Sequence, residues 1–165
     1  MTYAAVRATQ GRLPEGYRHD RHVVELGAGE DVYERAVQGL VDWEAHRRAG
    51  VKLHPAKPPI LEGETVVLAV ALPGISAIAA CRIVYVTDEA NRFGFAYGTL
   101  PAHPEEGEEA FHVEADAHGT VRFVVTAFSR PRHPLARIGS PVARQVQLRV
   151  TRRYLTSLAS FVAGG

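Results

Sequence analysis

Five extended runs in succession, residues 65–72, 75–86, 93–100, 110–115 and 121–129, constrain this 165-residue chain more than anything else in it. Turn chemistry separates them: Pro73-Gly74, Asp88-Glu89-Ala90-Asn91, a Pro/Glu/Gly loop at 101–109, and Asp116-Ala117-His118-Gly119. Such breaks are too short for crossover helices, so the runs predict consecutive antiparallel strands in a meander.

What flanks the meander fixes the class. Residues 22–26 read as a short strand, and Gly27-Ala28-Gly29 leads into a helix predicted over 30–49. Its apolar stripe is Val32, Ala36, Leu40 and Trp43, and Gly50 ends it at C′. Residues 55–59 form a stiff, proline-rich connector. At the other end, the loop at 129–141 carries three prolines, of which Pro141 suits the first turn of a helix. That helix, 142–162, places Ala143, Val146, Val150, Tyr154, Leu158 and Phe161 on one face. The order is α+β. It predicts one domain over 12–162, a curved antiparallel sheet wrapped around a long C-terminal helix (helix-grip-like), with one N-terminal helix. By analogy with other such wraps, an elongated cavity is expected between sheet and helix.

Composition excludes several classes. With 46% hydrophobic and 22% charged residues the chain is globular rather than disordered. Its one cysteine, Cys81, lies in an apolar run and can form no internal disulfide. No basic-then-apolar leader opens the sequence, and a reducing cytoplasm is the expected location. The longest apolar run, 65–80, is interrupted by Pro73-Gly74 and is too short to predict a membrane span.

Charge is uneven along the chain. All 18 acids lie at or before Asp116, with 11 basic residues, a net of −7; the remainder holds eight arginines and no acid. Electrostatic complementarity between the halves, or between subunits, accounts for this better than nucleic-acid binding. Arg144, Arg149, Arg152 and Arg153 on the last helix lack an interleaved aromatic platform, and Arg149 and Arg153 flank the apolar stripe, where they can snorkel. Leu148 and Leu155 on its opposite face point to a partner surface or a homodimer.

Four segments together carry a family likeness. They are G-x-x-V-Y-E-R-A…L-x-x-W at 29–43, C-R-I-V-Y-V-T-D-E-A-N-R-F-G-F-A-Y-G-T-L-P-A-H-P-E-E-G-E-E-A-F at 81–111, A-F-S-R-P at 127–131, and R-R-Y-L at 152–155. On these the chain resembles the YndJ-like family, the domain of unknown function numbered nineteen-ninety, over about residues 12–160. Ala102 departs from the glycine common there. The resemblance implies a START-like helix-grip fold, in agreement with the element order, and implies no substrate.

The 94–111 stretch holds the most chemistry. Alternation puts Phe93, Phe95, Tyr97 and Thr99 on one strand face and Gly94, Ala96, Gly98 and Leu100 on the other. The small face admits close approach of another element or a ligand. Tyr97 is the candidate polar anchor of an apolar pocket wall, and His103, between Pro101 and Pro104, is either a proton carrier or a lock on its own loop. Among Glu105, Glu106, Glu108 and Glu109, one is expected to turn inward toward His103 or Arg82. Arg82 and Tyr85 are expected on opposite strand faces. Arg130 either binds an anionic group at the cavity mouth or pairs with a loop glutamate.

Other motifs fall short. Gly27-Ala28-Gly29 lacks the third glycine of a dinucleotide fingerprint, Ser129 lacks a nucleophile elbow, and His19-x-x-His22 would face opposite sides of a strand. No cofactor and no metal are expected. The sequence therefore predicts a binding domain for a small, largely apolar molecule, lined by Trp43, Phe95, Tyr97, Phe111, Phe128 and Tyr154, with Arg130 nearby. One alternative is an enzyme for acid/base cyclisation, dehydration or isomerisation of a hydrophobic metabolite, using Tyr97, His103 and Glu109. Another is an interaction protein whose basic last helix docks an acidic partner.

Overall fold

The computed structural model describes residues 1–72, 75–101, 103, 105–132 and 140–164. The Pro73-Gly74 turn, Ala102, Pro104 and the middle of the proline-bearing loop, 133–139, lie outside the described residues, as does the side chain of Ala143. Seven strands form one sheet: β1 (Arg18–Ala28), β2 (Val51–His54), β3 (Thr65–Leu72), β4 (Ile75–Glu89), β5 (Arg92–Thr99), β6 (Glu105–Ala115) and β7 (Thr120–Pro131). Its order is β1-β7-β6-β5-β4-β3-β2, and every neighbouring pair is antiparallel. The meander is as expected; β1 is longer than the 22–26 predicted, and the one further strand is the four-residue β2, which had no periodicity to show.

Among the described residues three α-helices cover the concave face: α1 (Glu30–Val41), α2 (Glu44–Arg48) and the 23-residue α3 (Ser140–Val162). Pro141 falls in the first turn of α3, and Val150, Tyr154, Leu158 and Phe161 pack into the core. This is the helix-grip arrangement. The core runs from Ala36 and Leu40 of α1 through Phe95, Phe111 and Phe123 of the sheet to Tyr154 and Leu158.

The single helix predicted over 30–49 is broken. Trp43 has a left-handed backbone (φ 59°), unusual for a side chain with a Cβ. Its indole is fully buried, donates from Nε1 to the Pro58 carbonyl at 2.9 Å and packs on Phe95. Those contacts offset the backbone cost of about 1–2 kcal/mol. The break redirects α2, which delivers Ala45 and His46 into the core.

Residues 101–109 are not all loop, because β6 begins at Glu105. Strand alternation then distributes the four glutamates. Glu105 and Glu109 take the concave face; Glu106 and Glu108 take the convex one, opposite Arg130 and Phe128. Glu105 pairs with Arg18 at 2.9 Å and Glu106 with Arg130 at 2.5 Å. Glu108 is 3% exposed and accepts from the Tyr3 hydroxyl, the Arg7 and Thr9 amides and the Thr9 hydroxyl. Glu108 is thus buried on one side of the sheet and Glu109 half-buried on the other.

The small face of β5 has an occupant that neither helix packing nor a ligand supplies. The N-terminal residues lie across the convex face, and a Cβ on Gly98 would collide with the Tyr3 hydroxyl and the Met1 side chain. Residues before 12 therefore belong to the folded unit. Arg82 and Tyr85 also depart from expectation. A register shift between Ile83 and Tyr85 sets them opposite Gly98 and Ala96, both on the convex face. Neither faces the cavity.

Three of the eight later arginines meet earlier acids within the molecule, in Arg122–Asp116, Arg130–Glu106 and Arg144–Asp20. Leu155 is partly buried and packs against the core.

Candidate functional site

Between the sheet and the N-terminal half of α3 lies a cavity of about 500 Å³. Its wall is Leu68 and Val70 of β3 with Ala77, Ile78 and Ala79 of β4; α3 closes the other side with Val146, Gln147 and Tyr154. Cys81, Tyr97 and Glu109 form the floor, and His103, Glu105 and Ser129 the rim. Ile78 is 61% exposed, so the cavity opens at the β3–β4 end.

The polar chemistry concentrates on the floor. Strand pairing sets Tyr97 directly opposite Glu109, and the Tyr97 hydroxyl donates to Glu109 Oε2 at 3.0 Å. The surface that Glu109 leaves open faces the cavity and a small cleft lined by Asp20, His22, Arg144 and Thr151. Burial raises the Glu109 carboxyl to about 7, and the nearby Asp20 and Glu105 push the same way; the Tyr97 hydrogen bond opposes them. His46 Nε2 lies 3.3 Å from the Tyr97 hydroxyl, and burial lowers that imidazole to about 3, keeping it neutral. Burial pushes the Cys81 thiol up to about 12, which removes it as a thiolate nucleophile. A carboxyl that titrates near neutrality beside a phenol and a neutral imidazole can give or take a proton without leaving the cavity.

The raised Glu109 has a consequence for stability. The folded state holds its proton more tightly than the unfolded chain, so its contribution is present below about pH 4.5 and lost as pH rises through about 7. Glu109→Gln removes that loss. Its stability relative to the parent is expected to improve by up to about 2–3 kcal/mol between pH 5 and pH 9, read from urea midpoints. A difference that stays constant across that range would rule out the raised carboxyl.

The family model for the domain of unknown function DUF1990 matches residues 2–157. The chain belongs to this family. Curated relatives agree: a UPF0548 protein of Deinococcus radiodurans is 37% identical over 158 residues, covering 90% of this chain and 80% of that protein. A UPF0548 protein of Arabidopsis thaliana is 30% identical, covering 84% of this chain and 70% of that one. One from Dictyostelium discoideum is 32% identical, with 78% and 65% covered. Solved structures share the fold at low identity. The aromatase/cyclase ZhuI from Streptomyces sp. R1128 superposes with TM-score 0.61 at 16% identity, over 89% of this chain and 94% of that one. Norcoclaurine synthase from Thalictrum flavum gives 0.60 at 9%, over 90% and 87%. Hypothetical protein jhp0584 from Helicobacter pylori gives 0.63 at 12%, over 98% of both chains.

In this DUF1990 chain the residues singled out from sequence divide into three groups. Tyr97, His103, Glu109 and Tyr154 border the cavity. His103 is held by its own loop, its Nδ1 accepting from the Glu105 amide at 3.0 Å. Trp43, Phe95 and Phe111 pack in the core and do not line the cavity, because their partners are one another, His46 and Tyr97. Phe128 touches the cavity, yet its ring lies on the convex face against Tyr3 and Tyr17. Arg130 is outside it altogether, over the Tyr17 ring and bound to Glu106. His46 was missed. Its place beside Tyr97, 51 residues away, depends on the break at Trp43, which no local pattern announces.

Proposed function

We propose that this DUF1990 chain binds a small, largely apolar molecule between the sheet and α3, with the Glu109–Tyr97 pair meeting the ligand's polar end. The observation that carries this is the cavity of about 500 Å³, with an apolar wall on β3 and β4 and hydrogen-bonded polar groups gathered at its floor and rim. That size and that division of labour suit small-molecule sites. The aromatase/cyclase and norcoclaurine synthase neighbours lend support at the level of fold alone. The test is titration with N-phenyl-1-naphthylamine, a neutral apolar fluorophore. Saturable one-to-one binding is expected, weakened at least tenfold by Val146→Trp, which fills the cavity from α3, in a variant with unchanged circular dichroism. No binding, or binding indifferent to Val146→Trp, overturns the proposal.

The near-neutral Glu109 favours a second reading, an enzyme in which Glu109 moves a proton and Tyr97 donates a hydrogen bond to the developing charge. His103 stands at the rim with its Nδ1 committed to its loop. The two readings part on α-proton exchange of 2-tetralone in D₂O. Proton transfer requires acceleration by the parent and its loss in Glu109→Gln; an unaccelerated exchange leaves binding alone.

A further inference from the structure

We propose that the cavity selects its ligands by charge, taking hydrophobic ammonium compounds over carboxylates of the same shape, with Glu109 as the counter-ion. This rests on the binding function just proposed and adds the ligand's chemical class.

The reasoning starts from what faces the Glu109 carboxyl. Its own strand contributes Glu105, and β1 contributes Asp20 and His22. From β4 comes Cys81 and from β5 Tyr97; β7 offers Val125, Ala127 and Ser129, none of them charged. Helix α3 brings Arg144, Gln147, Thr151 and Tyr154, and His46 of α2 stands one step behind Tyr97. Among the described residues two guanidinium groups come near, and both are committed. Arg144 grips Asp20 through both terminal nitrogens, and Arg18 pairs with Glu105. Glu109 is left with a neutral phenol as its hydrogen-bond donor.

A carboxylate entering this space would meet Glu109 and Glu105 and lose its hydration, with no lysine or arginine among the described lining residues to receive it. An ammonium entering the same space replaces lost hydration with an ion pair to Glu109, while its hydrocarbon lies on Leu68, Val70, Ala79 and Val146. The pair requires the deprotonated carboxyl. Where Glu109 is protonated, amine binding must expel that proton, so affinity falls as pH falls, by up to about tenfold per unit.

The experiment displaces N-phenyl-1-naphthylamine with three compounds sharing one ring system: 2-(1-naphthyl)ethylamine, 2-(1-naphthyl)ethanol and 1-naphthylacetic acid. At pH 7.5 the amine is expected to bind at least tenfold tighter than the alcohol, and the acid at least tenfold weaker than the alcohol. From pH 7 down to pH 5 the amine's affinity drops while the alcohol's holds. Glu109→Gln removes both the amine's advantage over the alcohol and its pH dependence. If the acid equals the amine, or the amine's advantage survives Glu109→Gln, the charge selection is overturned and the binding function stands. If none of the three displaces the fluorophore from the parent, the charge selection fails whatever the fluorophore does. If the fluorophore itself does not bind, the binding function fails first.

Discussion

Phe111→Ala is expected to lower stability by about 3–5 kcal/mol, the range for truncating a buried phenylalanine. Phe111 is 0% exposed and its ring is enclosed by Phe95, Tyr97, Phe123, His46 and Tyr154. It is therefore where sheet, α2 and α3 meet. None of these neighbours can collapse into the vacated space independently, since each is also fixed by the others; the cavity term should add fully to the lost transfer energy. The measurement is a urea midpoint at unchanged m, with a fall in Tm of roughly 6–20 °C. A loss below about 1 kcal/mol would mean that the three layers do not share one core. Because Phe111 lies behind the cavity floor and not in it, the folded fraction of this variant should still bind the fluorophore.

Glu108→Ala is the second large effect, and its signature is different. The carboxylate gathers four donors from Tyr3, Arg7 and Thr9, two of them backbone amides. Removing it strands buried donors at about 1–3 kcal/mol each, so a penalty of about 3–5 kcal/mol is expected if the segment stays docked. The segment need not stay docked. Peeling residues 1–11 from the convex face limits the cost and exposes Gly98, Ala96 and Tyr85. Limited proteolysis separates the outcomes: the parent should resist cleavage before Arg18, whereas Glu108→Ala should be trimmed there rapidly. Glu108→Gln keeps one acceptor oxygen and should fall between. Parent-like resistance in Glu108→Ala, together with an unchanged urea midpoint, would show that the latch contributes nothing.

These two residues also mark how much of the molecule the sequence disclosed. Phe111 was picked out as functionally important, and it is central, but as core and not as lining. Alternation says which face of β6 it occupies; it does not say whether a helix or a void lies above that face. Tyr97 and Glu109 were both named, and their hydrogen bond follows from the β5–β6 register, which only the folded hairpin sets. Nothing local sets Glu108 apart from its neighbouring glutamates, because its donors arise about 100 residues earlier in the chain.

The sequence by itself determined the meander, the amphipathic closing helix and hence the helix-grip class. Those depend on periodicities of two and 3.6 and on turn residues, which act between neighbours along the chain. Only the tertiary structure decided which of the stretch at 94–111 is wall, floor or core. A bulge beside Val84 turned Tyr85 outward, the left-handed Trp43 carried His46 in, and the N-terminal segment covered the glycine face of β5. Each depends on packing between residues distant in the chain, which no local pattern announces, and together they leave Glu109 facing a cavity with an apolar wall.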